Sequence, residues 1–231
     1  MSKENTMNTI DKKQSKLSRI PIPKYTLGEE LISSISHGLG AAFGIVALVL
    51  CVVRSASHHN GAAVVASVAF GAGLIIMYTM STIYHSLKPC KGKKVLRVFD
   101  HCSIFLLIAG TYTPFTLVSL FGATGWVLFG IVWGISIFGI VVNAIDVEKF
   151  KVFSMISYLV LGWVIVLAFK QLYTAVPLGC IKLLVAGGLA YTIGAIVYGI
   201  GSKVKYMHSL WHFFVLAGSI LHFFAIFLYV L

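Results

Sequence analysis

Apolar residues fall in seven long runs, at about 31–53, 61–87, 98–120, 125–145, 152–172, 179–201 and 207–230, with short polar stretches between them. Each run is long enough to cross a hydrocarbon core of about 30 Å as a helix rising 1.5 Å per residue. The first run is too long for a signal-peptide core and no clear small-residue cleavage site follows it, so it counts as a true span. The pattern predicts an all-α, polytopic integral membrane protein. A flexible polar tail covers residues 1–27, where Pro21 and Pro23 discourage helix, and a seven-helix transmembrane domain covers 28–231.

Composition points the same way. The chain is 58% hydrophobic and 11% charged, with mean hydropathy +0.94, whereas soluble domains are about a quarter charged. A net charge of +11 raises nucleic acid as a partner, but the 18 Lys and Arg sit in short clusters between apolar runs. That placement suits topology signals facing an anionic leaflet, so no nucleic-acid partner is expected. The tail carries Lys3, Lys12, Lys13, Lys16, Arg19 and Lys24, and the second loop Lys88, Lys91, Lys93, Lys94 and Arg97. Lys149 and Lys151 belong to the fourth loop and Lys203 and Lys205 to the sixth, leaving Arg54, Lys170 and Lys182 for the opposite face. The positive-inside rule then predicts a cytoplasmic amino terminus and an outside carboxyl terminus, in a multi-pass protein of the plasma membrane.

Small and special residues add local expectations. Cys51 and Cys180 fall near the outer ends of spans one and six, where a bridge is geometrically open, but they read better as two buried small hydrophobes. Gly130, Gly134, Gly139, Gly187, Gly188 and Gly194 are read as packing positions. Pro114, after Thr111 and Thr113, should kink the third span, with the threonines helping to satisfy freed backbone groups.

Polar residues inside the spans carry the candidate chemistry. His208 and His212, four apart at the start of the last span, project from one helical face and can reach one metal ion. Ser81 and His85 share a face at the end of the second span by the same spacing, and Asp100 opens the third. At 1.5 Å per residue, His85, Asp100 and His208 lie about 4–5 Å inside the nearest basic residue, and Ser81 and His212 about 10 Å inside. Five polar residues from three helices thus share one cytoplasmic layer. Three His without Cys is the donor set of an open zinc site with a fourth position for water, which Asp100 could orient or deprotonate while Ser81 bonds a substrate oxygen. The alternative is a structural zinc clip tying helices two and seven. His101 is read as interfacial, and His58 and His59 as outer-loop residues.

The order Ser81-xxx-His85, Asp100, His208-xxx-His212 resembles the haemolysin III family and its relatives, the progestin and adipoQ receptors, over all seven spans. The resemblance implies zinc held by His85, His208 and His212, approached by Asp100 through water, with Ser81 as the matching serine. A similarity in motif to the alkaline ceramidases implies lipid amide hydrolysis. Ser33 departs from the receptors' asparagine in the first span. In that span Glu30 and His37 lie within about 20° of one face. Glu30 is read either as gating the cytoplasmic mouth through a backbone or Glu–Lys bond or as a surface carboxylate. His222, about 21 Å above His208, is assigned an internal hydrogen bond, with cavity lining as the alternative.

Three functions follow: a zinc-dependent hydrolase of a membrane lipid amide or ester, a cytolysin, or a receptor-like membrane-homeostasis protein with structural zinc. The clustering of ionisable groups at one face disfavours a pore, and a membrane lipid is the expected substrate or ligand.

Overall fold

A computed structural model describes residues 20–201 and 204–231. Residues 1–19, on which most of the flexible-tail expectation falls, and residues 202–203 lie outside the described residues. Seven helices are long and apolar enough to cross a membrane: α1 Leu27–Ser57, α2 Gly61–Ser86, α3 Lys91–Ser119, α4 Ala123–Asp146, α5 Lys151–Ala175, α6 Leu178–Gly201 and α7 Met207–Tyr229. No strand occurs among the described residues. Large apolar side chains such as Leu39, Val53, Val65, Phe138, Ile156 and Ile196 face outward all round the bundle. Only a protein whose solvent is hydrocarbon leaves so much apolar surface uncovered.

The helices begin where capping chemistry allows. Thr26 and Glu29 form a capping box at the start of α1, so that helix begins four residues before its apolar run. Asn60 accepts from the Ala63 amide to start α2, and the Cys90 thiol accepts from Lys93 N–H to start α3. The α3 start corrects the sequence expectation by about two turns. Lys93 and Arg97, expected in a loop, lie inside the helix and are buried. They tolerate burial because each has an anionic partner: Glu30 for Lys93, and Glu148 for Arg97 at 2.8 Å. Although partial burial opposes it, hydrogen bonds from Lys151 and Arg97 hold Glu148 below the usual carboxylate range.

Neighbouring spans pack in sequence, α1 on α2, α2 on α3, α3 on α4 and α6 on α7, and α7 closes back on α1. The core is centred on Phe70, Leu74, Met77 and Tyr78 of α2, with a satellite cluster around Phe105 of α3. The α5 helix touches its neighbours least and is interrupted by a 3-10 stretch, Val164–Ala168. There Tyr112 of α3 donates its hydroxyl proton to Gly162 O and accepts from Ile165 N–H, replacing bonds the broken helix lacks.

Pro114 changes α3 from α to π geometry over Phe115–Ser119. Thr111 and Thr113 bond back to Leu107 O and Ala109 O. Neither reaches Gly110 O, the carbonyl that the proline leaves without its helical donor. Cys51 and Cys180 are buried free thiols. The glycine expectation divides. A Cβ at Gly139, Gly187 or Gly194 would collide with Phe105, His222 or Trp211, and one at Gly188 would press on Trp163. Gly130 and Gly134 face open space, because they lie on the outward side of α4.

Candidate metal centre and its cavity

The first turns of α1 and α7 and the last turn of α2 meet at the lysine-rich end of the bundle. Glu29 joins two of them: besides capping α1, its Oε1 accepts from Tyr206 N–H at 2.8 Å. Tyr206 has a left-handed backbone, φ 65°, directly before α7, and this bond holds a conformation that disfavours side-chain-bearing residues. Ser209 donates to Glu29 O and lies 3.2 Å from the Ser33 hydroxyl, so α1 and α7 are locked where His208 begins. Ser33 thereby gains a packing role that spacing could not reveal.

Onto this frame the bundle brings His85, His208 and His212, all buried. The Nε2 atom of His208 lies 3.3 Å from that of His85 and 3.2 Å from that of His212. Nitrogens on two vertices of a tetrahedron about 2.0–2.1 Å from a central ion stand about 3.3–3.4 Å apart. The three imidazoles therefore fit one metal ion, the arrangement expected from their spacing. Without a cation, lone pairs converging in a buried site would be costly.

His85 is oriented from behind. Its Nδ1–H donates to Glu30 Oε2 at 2.7 Å, which leaves Nε2 as the free donor atom facing the other histidines. The other oxygen of Glu30 accepts from Lys93, whose ammonium also donates to Leu87 O at 2.8 Å and lies 5.0 Å from the Tyr84 ring centre. The Glu–Lys bond read as one option for Glu30 is thus present, and the surface option is excluded. The bond to His85 was not legible, since 55 residues separate the two. Below the cluster, the Tyr25 ring stacks on His208 with centroids 4.6 Å apart. Burial, aided by nearby Tyr198, Tyr84 and Asp100, pushes the Tyr25 hydroxyl well above its usual range, so it covers the histidines as a neutral lid. Arg97 donates to Pro21 O at 2.6 Å and anchors the segment that carries Tyr25.

Above the histidines runs a cavity enclosed mainly by α2, α3, α5, α6 and α7, with a volume of about 120 Å³ open to the centres of water-sized molecules. Ser81, Asp100, His208 and His212 all line it, and His85 joins through its contact with His208. Asp100 makes no side-chain hydrogen bond to any described residue, and its carboxylate is available to a guest. His101 also lines the cavity, which corrects its interfacial reading: the start of α3 is enclosed by α5, whose Tyr158 donates to His101 O. His37 lies against the metal group, its ring centre 3.8 Å from that of His212. His222 has the internal hydrogen bond expected of it, 3.2 Å to Leu184 O, and lines the far end as well. His58 and His59 are exposed.

A membrane bundle with three convergent histidines at one end and an apolar cavity behind them defines a multi-pass protein able to hold a buried metal ion. Its sequence matches the haemolysin-III related family over residues 25–223, and the chain belongs to that family. It is 40% identical to Hemolysin-3 of Bacillus cereus over 88% of this chain and 92% of that protein. It is 38% identical to a Hemolysin-3 homolog of Bacillus subtilis (strain 168) over 89% and 96% of the two chains. A more distant likeness, 26% over 69% of this chain and 68% of the other, is to the monocyte to macrophage differentiation factor of Homo sapiens.

Proposed function

We propose that this protein is a zinc-dependent hydrolase of a membrane lipid amide or ester, working at the cytoplasmic face of the plasma membrane. The carrying observation is the placement of an unpartnered Asp100 and the buried Ser81 in one apolar cavity with His208 and His212. His85, His208 and His212 would hold the ion. Zinc held by three histidines supplies Lewis-acid polarisation of a carbonyl and makes water more acidic.

The chain's own groups divide the remaining work. Apolar walls from Ile104, Leu107, Met155 and Val215 accept an acyl chain and exclude bulk water. Asp100 takes the proton of the attacking water as its oxygen bonds to the acyl carbon, then returns it to the departing amine or alcohol as the carbon–nitrogen or carbon–oxygen bond breaks. Ser81 donates to the carbonyl oxygen as charge develops there. Glu30 holds His85 in the tautomer that presents Nε2.

A second reading has its own support. The helices α2 and α7 make few close backbone approaches to one another, so an ion shared by His85, His208 and His212 would also serve as a structural clip. The names of the Bacillus relatives offer lysis as a third reading, but the ionisable groups gather at one end of this bundle, unlike those of a pore.

Asp100→Asn separates the first two. For a hydrolase it keeps the metal and loses turnover of lipid amides by about 10²–10⁴-fold, while His85→Ala loses metal and turnover together. Fatty-acid release, zinc content and Tm are measured side by side. A large fall in Tm on metal stripping, with no release from any amide or ester by the metal-loaded protein, would establish the clip instead.

The cytoplasmic assignment rests on 15 of the 18 basic residues falling in the tail, in the even-numbered loops or in the helix turns next to those loops. A reporter fused after Leu231 should read outside and one in the Lys88–Lys91 loop inside. The reverse would move the chemistry to the other face.

A further inference from the structure

Six buried side-chain nitrogen and oxygen atoms lack a hydrogen-bond partner among the described residues. Four of them, both nitrogens of His37, Nδ1 of His212 and Nδ1 of His222, belong to residues lining the same cavity. Three lie beside the metal group. The fourth is alone at the opposite end, since His222 is fourteen residues beyond His208 on α7 and so about 21 Å deeper.

His222 is held in a defined state. Its Nε2–H donates to Leu184 O, which leaves Nδ1 of the neutral ring as an acceptor without a donor. Gly187 makes space for the ring: a Cβ there would lie 2.4 Å from His222 Cδ2. The other polar groups at this end are satisfied internally. Tyr191 bonds the Ser219 hydroxyl at 2.8 Å, Trp163 donates to Thr192 at 3.0 Å, Thr192 donates to Gly188 O, and Tyr112 donates to Gly162 O. Between the two polar ends the walls are largely apolar. A guest that fills the cavity and carries a hydrogen-bond donor at the depth of His222 would supply the partner that this nitrogen lacks.

We propose that His222 is a specificity subsite that accepts a hydrogen bond from a hydroxyl at or near the far end of a long acyl chain, so that the preferred lipid is ω-hydroxylated. This rests on the reading that an acyl chain lies along the cavity with its carbonyl at the metal end. The hydroxyl donates to Nδ1, and a plain chain of the same length leaves that nitrogen buried and unpaired.

The test is binding, read without turnover. The full-length, zinc-loaded protein in detergent is titrated with palmitate and with ω-hydroxypalmitate, each displacing a fluorescent fatty acid. The wild type should prefer ω-hydroxypalmitate by about tenfold. His222→Phe and His222→Leu should remove the preference while keeping palmitate affinity, and His222→Asn, which restores a polar atom at the position of Nδ1, should recover part of it. Equal affinities in the wild type, or a preference that survives both apolar variants, would overturn the subsite. Displacement by neither lipid would overturn both the subsite and the acyl-chain reading. A clear preference in a protein without hydrolytic turnover would leave the subsite standing and remove only the hydrolase.

Discussion

In the most apolar stretch of α3, 67% of residues are buried, against 17% in α5, although α3 is the least apolar of the seven spans and α5 the most. In water that relation would be inverted. In a membrane the outward face is satisfied by any apolar side chain, so polar residues collect on the helices that other helices cover. The helix α3 carries Lys93, Arg97, Asp100, His101 and the Thr111–Pro114 step, each enclosed by neighbours or facing the cavity. The helix α5 turns Ser154, Met155, Tyr158, Leu159 and Trp163 inward and is bonded across its 3-10 break by Tyr112. The side that holds the metal group, α1, α2, α3 and α7, is cross-linked by Glu29, Glu30 and Ser209. The wall formed by α5 is the part of the cavity that touches its neighbours least.

The largest test of this division strikes the cross-linked side. Glu30→Gln keeps an acceptor for His85 but removes the charge facing Lys93, and zinc affinity should fall about 10–100-fold by competition with a chelator. Unchanged affinity would mean that α1 does not organise the centre. A smaller effect is expected where α4 meets α3. Gly139→Ala places a methyl within reach of the Phe105 ring and should destabilise by about 1–3 kcal/mol, seen as a lowered Tm in detergent. Gly134→Ala, on the same helix but facing open space, should leave Tm within about a degree or two. Equal shifts at the two glycines would erase the distinction between covered and lipid-facing surfaces.

The seven spans, their number and most of their ends were legible in the sequence, because a hydrocarbon core demands runs of a fixed length whatever the tertiary contacts. So was the convergence of three histidines that could hold a metal ion. His85, His208 and His212 stand out because a polar side chain in an apolar run needs a partner, and four-residue spacing fixes which of them share a face. The α3 start was misplaced because a charge count treats Lys93 and Arg97 as loop residues, and only their distant carboxylates make them tolerable inside a helix. The same distance hid Glu30 behind His85 and Tyr25 beneath His208.

Periodicity and hydropathy are properties of a residue and its near neighbours, so the sequence by itself determined the class of protein, the helices and the donor set for a metal. Which faces turn inward was decided by tertiary structure, since lipid and protein interior present the same apolar chemistry to a helix. Gly134 and Gly139 show this on one helix, where one faces open space and the other meets Phe105. His101 shows it at the site: its position at a helix start suggested the interface, and the packing of α5 over α3 placed it in the cavity.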